Sequence, residues 1–404
     1  MRPLEITRRA IANWSDAEVN ALAIAIKQAT EACSARTPEQ FSGDDLIAYA
    51  RLCSLGQQWP TVGAAATRYI ASTDPVKPRL TQAYAYQINA TLHTGDPKAI
   101  LASSLAMLHS VPYSNLTDET LHDALNYLQL AYTLDAFSLY LEREPLLLSA
   151  LRASQQTSPA ASPDAVPIHT LYADGVAFAA LEQFRGEPRG ATGILSDLDA
   201  ALPPTLQPDD SIAIAETRRQ YALLGTHLPN ITVSKSFYSQ GDTPRINNHY
   251  GSATVLFLFP DWCAQCVRMA QQFAPTLFRI SEKEVHLYGL LAQDVPVSAP
   301  VTTKPKPATK PSSAEPEPPK TPAELLRGSP TLIVPLQTLN QFAATDYPLV
   351  IATDSHGIIR FIQPATDTAL VPGGFLDQIT DHIALQWPRP TQATPSSPSP
   401  EAKP

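Results

Sequence analysis

The chain has 404 residues, with 29 lysines and arginines against 38 aspartates and glutamates, a formal net charge of -9. That acidic balance argues against nucleic acid and anionic membrane surfaces as partners. The length suits two or more domains, and no stretch reaches the ~18 consecutive apolar residues of a membrane span.

Residues 1–228 hold alanine- and leucine-rich stretches of helical length, with none of the continuous β-type runs found later in the chain. Proline, glycine and polar clusters cut these stretches into hairpin-sized pieces. The first helix is expected from Ser15 to about Ser34 and the next from Asp44 to Leu55. Cys33 falls at the end of the first and Cys53 inside the second. A short antiparallel hairpin would bring their Cα atoms within bridging distance, and closing that loop would contribute about 3 kcal/mol on the chain-entropy estimate. Two buried thiols are the alternative reading, and the compartment decides between them.

Three breaks look alike: Gly56-Gln-Gln-Trp-Pro, Gly95-Asp-Pro-Lys-Ala and Gly186-Glu-Pro-Arg-Gly-Ala. The first two glycines are 39 residues apart, close to the period of paired-helix arrays. This part resembles degenerate tetratricopeptide repeats, although no copy regenerates the full pattern of bulky and small residues. The resemblance implies a helical stack whose groove binds peptide or protein segments; an irregular helical bundle serving only as scaffold is the other reading.

The run Thr254-Val-Leu-Phe-Leu-Phe259 has neither alternation nor charge, so a strand buried on both faces is expected. Directly after it comes Pro260-Asp-Trp-Cys-Ala-Gln-Cys266, and then Val267, Ala270, Phe273, Leu277 and Ile280 recur at helical spacing. Cys263 would stand at the helix start with Cys266 one turn on. Unpaired N–H groups and the helix dipole favour a thiolate there, making Cys263 the attacking sulfur and Cys266 the resolving one. Trp262 is expected to shield the pair from water. A zinc site would need four ligands, yet no second Cys-x-x-Cys and no closely spaced histidine pair exists, so neither metal nor cofactor is called for. An inert structural pair is the bland alternative.

These residues resemble the thioredoxin superfamily, in particular the TlpA-type thioredoxin-like proteins of bacterial envelopes. Val285-His-Leu-Tyr-Gly-Leu-Leu291 matches the family's next strand, and Asp346-Tyr-Pro through Phe361-Ile362 matches its proline-strand-turn-strand segment, with the turn at Asp354-Ser-His-Gly357. The resemblance implies that Pro348 is cis and packs beside the sulfurs, and that the Tyr347 backbone docks a substrate cysteine, with Trp262 in the same binding surface. A trans proline opening an edge strand is the alternative. A final helix is expected from Gly374 to Gln386. Two departures stand out: the family's buried acid six residues before the first cysteine is Phe257 here, and the glutamate often found three residues after the second is Met269.

Residues 296–322 hold nine prolines and 388–404 hold six, and both tracts are expected to be extended and disordered. The nine histidines are scattered, none at ligand spacing to a carboxylate, and each reads as an ordinary surface or core residue. The fold class is therefore α plus α/β: an all-helical repeat-like domain at 1–228, a thioredoxin fold at 229–387 interrupted by 296–322, and a tail at 388–404. The function implied is thiol-disulfide exchange with cysteine-containing protein clients or a redox partner protein, recruited by the helical domain. The alternative is a protein-binding scaffold with a weakly active or redox-sensing module. Met1 to Ala10 contains no apolar leader core, which taken alone reads as cytoplasmic. The envelope resemblance instead implies an exported or periplasmic protein whose leader is absent from this sequence.

Overall fold

A computed structural model describes residues 16–74, 76–131, 133–154, 164–236, 246, 252–273, 276, 285–293, 325–326, 329–365 and 375–387. The proline-rich tracts 296–322 and 388–404 lie outside the described residues.

The amino-terminal part is helical. Helices α1 (Asp16–Ser34), α2 (Asp44–Leu55), α3 (Trp59–Ile70), α4 (Leu80–Thr94), α5 (Pro97–Ser110), α6 (Asn115–Ala131), α7 (Thr133–Ser154), α8 (Ile168–Phe184), α9 (Pro188–Ala201) and α10 (Pro208–Tyr221) follow one another along the chain. The three repeated breaks fall between α2 and α3, α4 and α5, and α8 and α9. Each of the following helices opens with proline in its first turn, where a missing N–H costs nothing. Asp96 caps α5 by accepting from the N–H groups of Lys98 and Ala99. Gly56 serves another purpose: a Cβ there would meet the backbone N of Thr30 at 2.7 Å, so its absence lets α1 lie against the α2–α3 turn. Thr30 Oγ1 then donates to the Gly56 carbonyl at 2.9 Å.

Helix α8 is the centre of this part. It buries residues around its whole circumference, from Leu171 and Tyr172 to Phe178, Leu181 and Phe184, as a helix enclosed by neighbours must.

The carboxy-terminal part is built on a six-stranded sheet. Its strands are β1 (Lys235–Ser236), β2 (Ala253–Pro260), β3 (Val285–Gln293), β4 (Thr331–Pro335), β5 (Leu349–Thr353) and β6 (Ile359–Pro364), in the spatial order β1-β4-β3-β2-β5-β6. The β2–β3 and β3–β4 pairs are parallel, whereas β2–β5 and β5–β6 are antiparallel. Side chains of β2 alternate between two cores. Val255, Phe257 and Phe259 pack with α11 (Ala264–Ala270) and α13 (Phe375–Gln386), while Leu256 and Leu258 pack on the opposite face with Phe342 and Leu339, the latter from α12 (Gln337–Gln341). Each fully buried aromatic or aliphatic side chain of this kind stabilises the fold by about 1.5–3 kcal/mol. A central strand pair in parallel, an antiparallel hairpin beside it and helices on both faces is the thioredoxin-like fold. The molecule thus joins a helical body to a thioredoxin-like α/β body.

The two bodies touch closely. Phe184, at the end of α8, belongs to the same buried cluster as Phe257 and Phe361, stacks on His382 at 4.0 Å, and accepts from that ring's Nε2 at 3.0 Å. Gln386 Nε2 donates to the Arg185 carbonyl at 2.7 Å, and Gln129 pairs with Gln363. No helix among the described residues is long and apolar enough to cross a membrane.

Candidate active site

The end of β2 sets the site. Its last residue, Pro260, leads into a tight connection in which Asp261 N donates to Ala292 O at 3.1 Å and Cys263 N donates to Pro260 O at 3.1 Å. Cys263 becomes the N-cap of α11. Its sulfur lies 3.3 Å from the N–H of Cys266, which donates to it. The two cysteines are joined, with S–S 2.00 Å and Cα–Cα 5.3 Å. Cys266 is buried against the β2 cluster, and Cys263 is half-buried at its rim.

Strand register brings the second part of the site alongside. Leu258 of β2 faces Leu349 of β5, so the residues just before β5 emerge at the sheet end that also carries the cysteine loop. Those residues are Tyr347 and Pro348, and the bond between them is cis. Tyr347 and Cys263 pack against the same apolar cluster. Trp262 does not close the pair off from water: it is 65% exposed, and its ring meets Tyr347 edge-on at 5.3 Å and 86°. The solvent-facing indole beside Tyr347 leaves apolar area open at this end of the sheet.

The backbone N–H of Cys266 points at the Cys263 sulfur. Phe257 is fully buried against Phe273, with ring centroids 4.9 Å apart, and Met269 is buried one helical turn beyond Cys266. Neither offers a carboxyl group. Asp261 and Arg268 flank the pair from exposed positions. Burial raises the Tyr347 phenol above its ordinary range, helped by the charges of Asp346 and Glu216.

Cys33 and Cys53 are joined far from this site, linking α1 to α2 with Cα–Cα 5.1 Å. Both are buried, and the Tyr49 hydroxyl lies beside them, 2.9 Å from the Cys33 carbonyl oxygen.

The sequence reading missed a charged network inside the helical body. Arg143 of α7 is buried and donates to Asp118 of α6 at 2.7 Å, to Asp174 of α8 at 2.5 Å, and to the Tyr113 hydroxyl at 2.9 Å. His122 Nδ1 sits 2.9 Å from Asp174, and His169 Nδ1 sits 2.7 Å from Asp210. The sequence reading placed no histidine at ligand spacing to a carboxylate, and these two meet carboxylates distant in the chain. These partners are brought together across helices 52 and 41 residues apart, which local spacing does not register. One signal was available: Arg143 stands in line with Tyr140, Leu147 and Leu151 on an otherwise apolar stripe. Burial opposes ionisation of Asp174, but Arg143 holds its carboxyl well below the usual range. Asp118 is raised by burial and by the charge of Asp174. For His122, burial works to lower the pKa, but the hydrogen bond and charge of Asp174 prevail and raise it. Among the described residues no three histidine, cysteine or acidic side chains are arranged to hold a metal ion.

No family model matches the chain, and no curated protein matches it. Among solved structures, the thioredoxin domain of a thiol-disulfide oxidoreductase from Bacteroides vulgatus aligns over 39% of this chain and 97% of its own length, with 10% identity and a TM-score of 0.24.

Proposed function

We propose that the protein is a thiol-disulfide oxidoreductase acting on protein cysteines through Cys263 and Cys266. The observation that carries this reading is the N-cap position of Cys263, with the Cys266 N–H 3.3 Å from its sulfur and the cis Tyr347–Pro348 bond at the same end of the sheet. In the reducing direction, the Cys263 thiolate attacks one sulfur of a client disulfide and the other sulfur leaves as a thiolate. Cys266, losing its proton, then attacks Cys263. The client departs with its second sulfur reduced, and two electrons have moved from the protein to the client. Starting from the joined pair, the same steps reversed oxidise a client dithiol. The backbone N–H favours negative charge on Cys263, so attack and resolution fall to different sulfurs. The Tyr347 backbone and Trp262 would hold the client strand, with the helical body recruiting it.

An exported, oxidising compartment suits the second disulfide, which links two buried positions and closes a 20-residue separation. A scaffold role with slow redox chemistry is favoured by one feature, the apolar Phe257 and Met269 where a proton-accepting group would assist resolution.

Insulin reduction by wild type, Cys263→Ser and Cys266→Ser tests the reading. Turnover should vanish in both variants, and Cys266→Ser should accumulate a mixed disulfide with insulin that dithiothreitol releases. Turnover in Cys263→Ser equal to wild type would overturn it.

A further inference from the structure

The last turn of α10 reaches from the helical body onto the α/β body. Arg219 Nη2 donates to the Asn340 carbonyl at 2.5 Å, and Gln220 Nε2 donates to the Ala343 carbonyl at 3.3 Å. Asn340 lies in α12, and Ala343 stands two residues past its end. Just beyond the two donors, Leu224 is buried in one cluster with Leu339, Phe342 and Leu349, and Tyr221 and Tyr347 both pack against that cluster.

The turn that these donors hold has a conformation foreign to its residue. Ala343 has a φ of +47°, its N–H donates to the Asn340 carbonyl at 3.3 Å, and the Ala344 N–H reaches back to the Leu339 carbonyl at 3.0 Å. A helix that ends this way ordinarily has glycine in the left-handed position, because a Cβ there crowds the backbone. Alanine stays in such a conformation when its surroundings hold it. The α10 donors, one on each side of the turn, supply that hold.

The chain leaving the turn carries Tyr347. The Tyr347 hydroxyl donates to the Ala344 carbonyl at 2.9 Å, and its ring meets Trp262, the neighbour of Cys263. Among the described residues, neither the N–H nor the C=O of Tyr347 has a main-chain partner. Its backbone is thus open to pair with an added strand.

We infer that Arg219 and Gln220 are positioning residues for the exchange reaction: α10 fixes the turn at 340–344 and, through it, the Tyr347 backbone with which a client strand pairs. The proposal rests on the dithiol reading above. It makes the helical body part of the docking surface without touching a reacting atom, and it adds no covalent step to those already given. A segment held in its bound form before the client arrives avoids the ordering cost of binding, so the effect falls on client affinity and not on the sulfur chemistry.

The test compares the full chain with Arg219→Met/Gln220→Met, which removes both donors and keeps unbranched side chains. Single-turnover reduction of insulin by the pre-reduced protein gives a half-saturating concentration and a limiting rate. In the variant the first should rise about fivefold, with the second within about twofold of wild type. Hydroxyethyl disulfide, too small to pair along Tyr347, reads the dithiol by itself. With no disulfide substrate present, amide hydrogen exchange at Ala343 and Ala344 should quicken about tenfold in the variant. An unchanged half-saturating concentration would overturn the proposal, even with faster amide exchange. So would a raised one with amide exchange at the wild-type rate, because insulin would then be touching α10 directly. Failure of wild type to reduce hydroxyethyl disulfide would defeat the dithiol reading instead, and amide exchange would still show whether α10 holds the turn.

Discussion

The ring of Tyr347 meets the ring of Trp262 edge-on at 5.3 Å, so the residue before the cis proline touches the residue before the first cysteine of the dithiol. The contact ties the start of β5 to the start of α11 from the solvent side. From the other side, the same two segments share the core formed by Phe257, Phe259 and Cys266. The chemistry proposed for Cys263 would rest on these two packed supports, with the supply of protons as its adjustable part.

Proton supply should limit turnover. With Phe257 and Met269 both apolar and buried, the Cys266 thiol has no carboxylate at either position to take its proton during resolution. Met269→Glu, one helical turn beyond Cys266, should raise the resolution rate near pH 7 by about tenfold, at the low edge of general-base effects. It should also lower the melting temperature, since an unpartnered buried carboxylate is costly. Stopped-flow rates from pH 6 to 9 measure this; rates equal to wild type throughout would show that another group takes the proton.

Removing the centre of the buried charge network should be severe. Arg143→Met leaves Asp118 and Asp174 facing each other without their shared cation, and breaking one side of a buried ion pair costs roughly 3–5 kcal/mol. Adding Asp118→Asn and Asp174→Asn should restore much of the loss. Urea midpoints of the single and triple variants give the comparison.

The bond between Cys33 and Cys53 should stabilise chiefly through the unfolded chain. Its sequence separation of 20 corresponds to about 3 kcal/mol of loop-closure entropy. Cys33→Ala/Cys53→Ala should lose about that amount, read from denaturant unfolding, and should leave the reactivity of Cys263 toward hydroxyethyl disulfide unaltered. A change in that reactivity would mean that the helical body bears on the dithiol.

The contact between the bodies should weaken in acid. Burial lowers the His382 pKa, and the hydrogen bond to the Phe184 carbonyl offsets this only in part. The folded state therefore keeps the ring neutral where the unfolded state, titrating near 6.5, takes up a proton. Stability supplied by neutral His382 is present above about pH 6.5 and lost as the pH falls toward the folded value. The urea midpoint of wild type should drop between pH 7.5 and 5 by more than that of His382→Gln; equal drops would remove the assignment.

Much of the α/β body was legible because its signals are local. The apolar run at 254–259 makes β2 through residues that are neighbours in the chain, and a strand buried on both faces tolerates no charge. The Asp354 turn was legible for the same reason, since its carboxylate accepts from the N–H groups of His356 and Ile358 within four residues. The network around Arg143 is different in kind. Its charged members come from α6, α7 and α8, and apart from Arg143 on its apolar stripe each looks like an ordinary polar residue on a helix. Only packing turns Asp118, His122 and Asp174 into one electrostatic unit.

Phe184 has a bearing on how such a protein can change over time. The last turn of α8 plugs a socket of Phe361, His382 and Trp387 on the α/β body. A gene fragment carrying only the sheet would encode a product with an open aromatic hole, and one carrying only the helices would leave a phenylalanine in water. Recombination that shuffled either half onto a new neighbour would have to bring a matching plug with it. The two bodies are therefore energetically coupled, since parting them would expose both the plug and its socket to water.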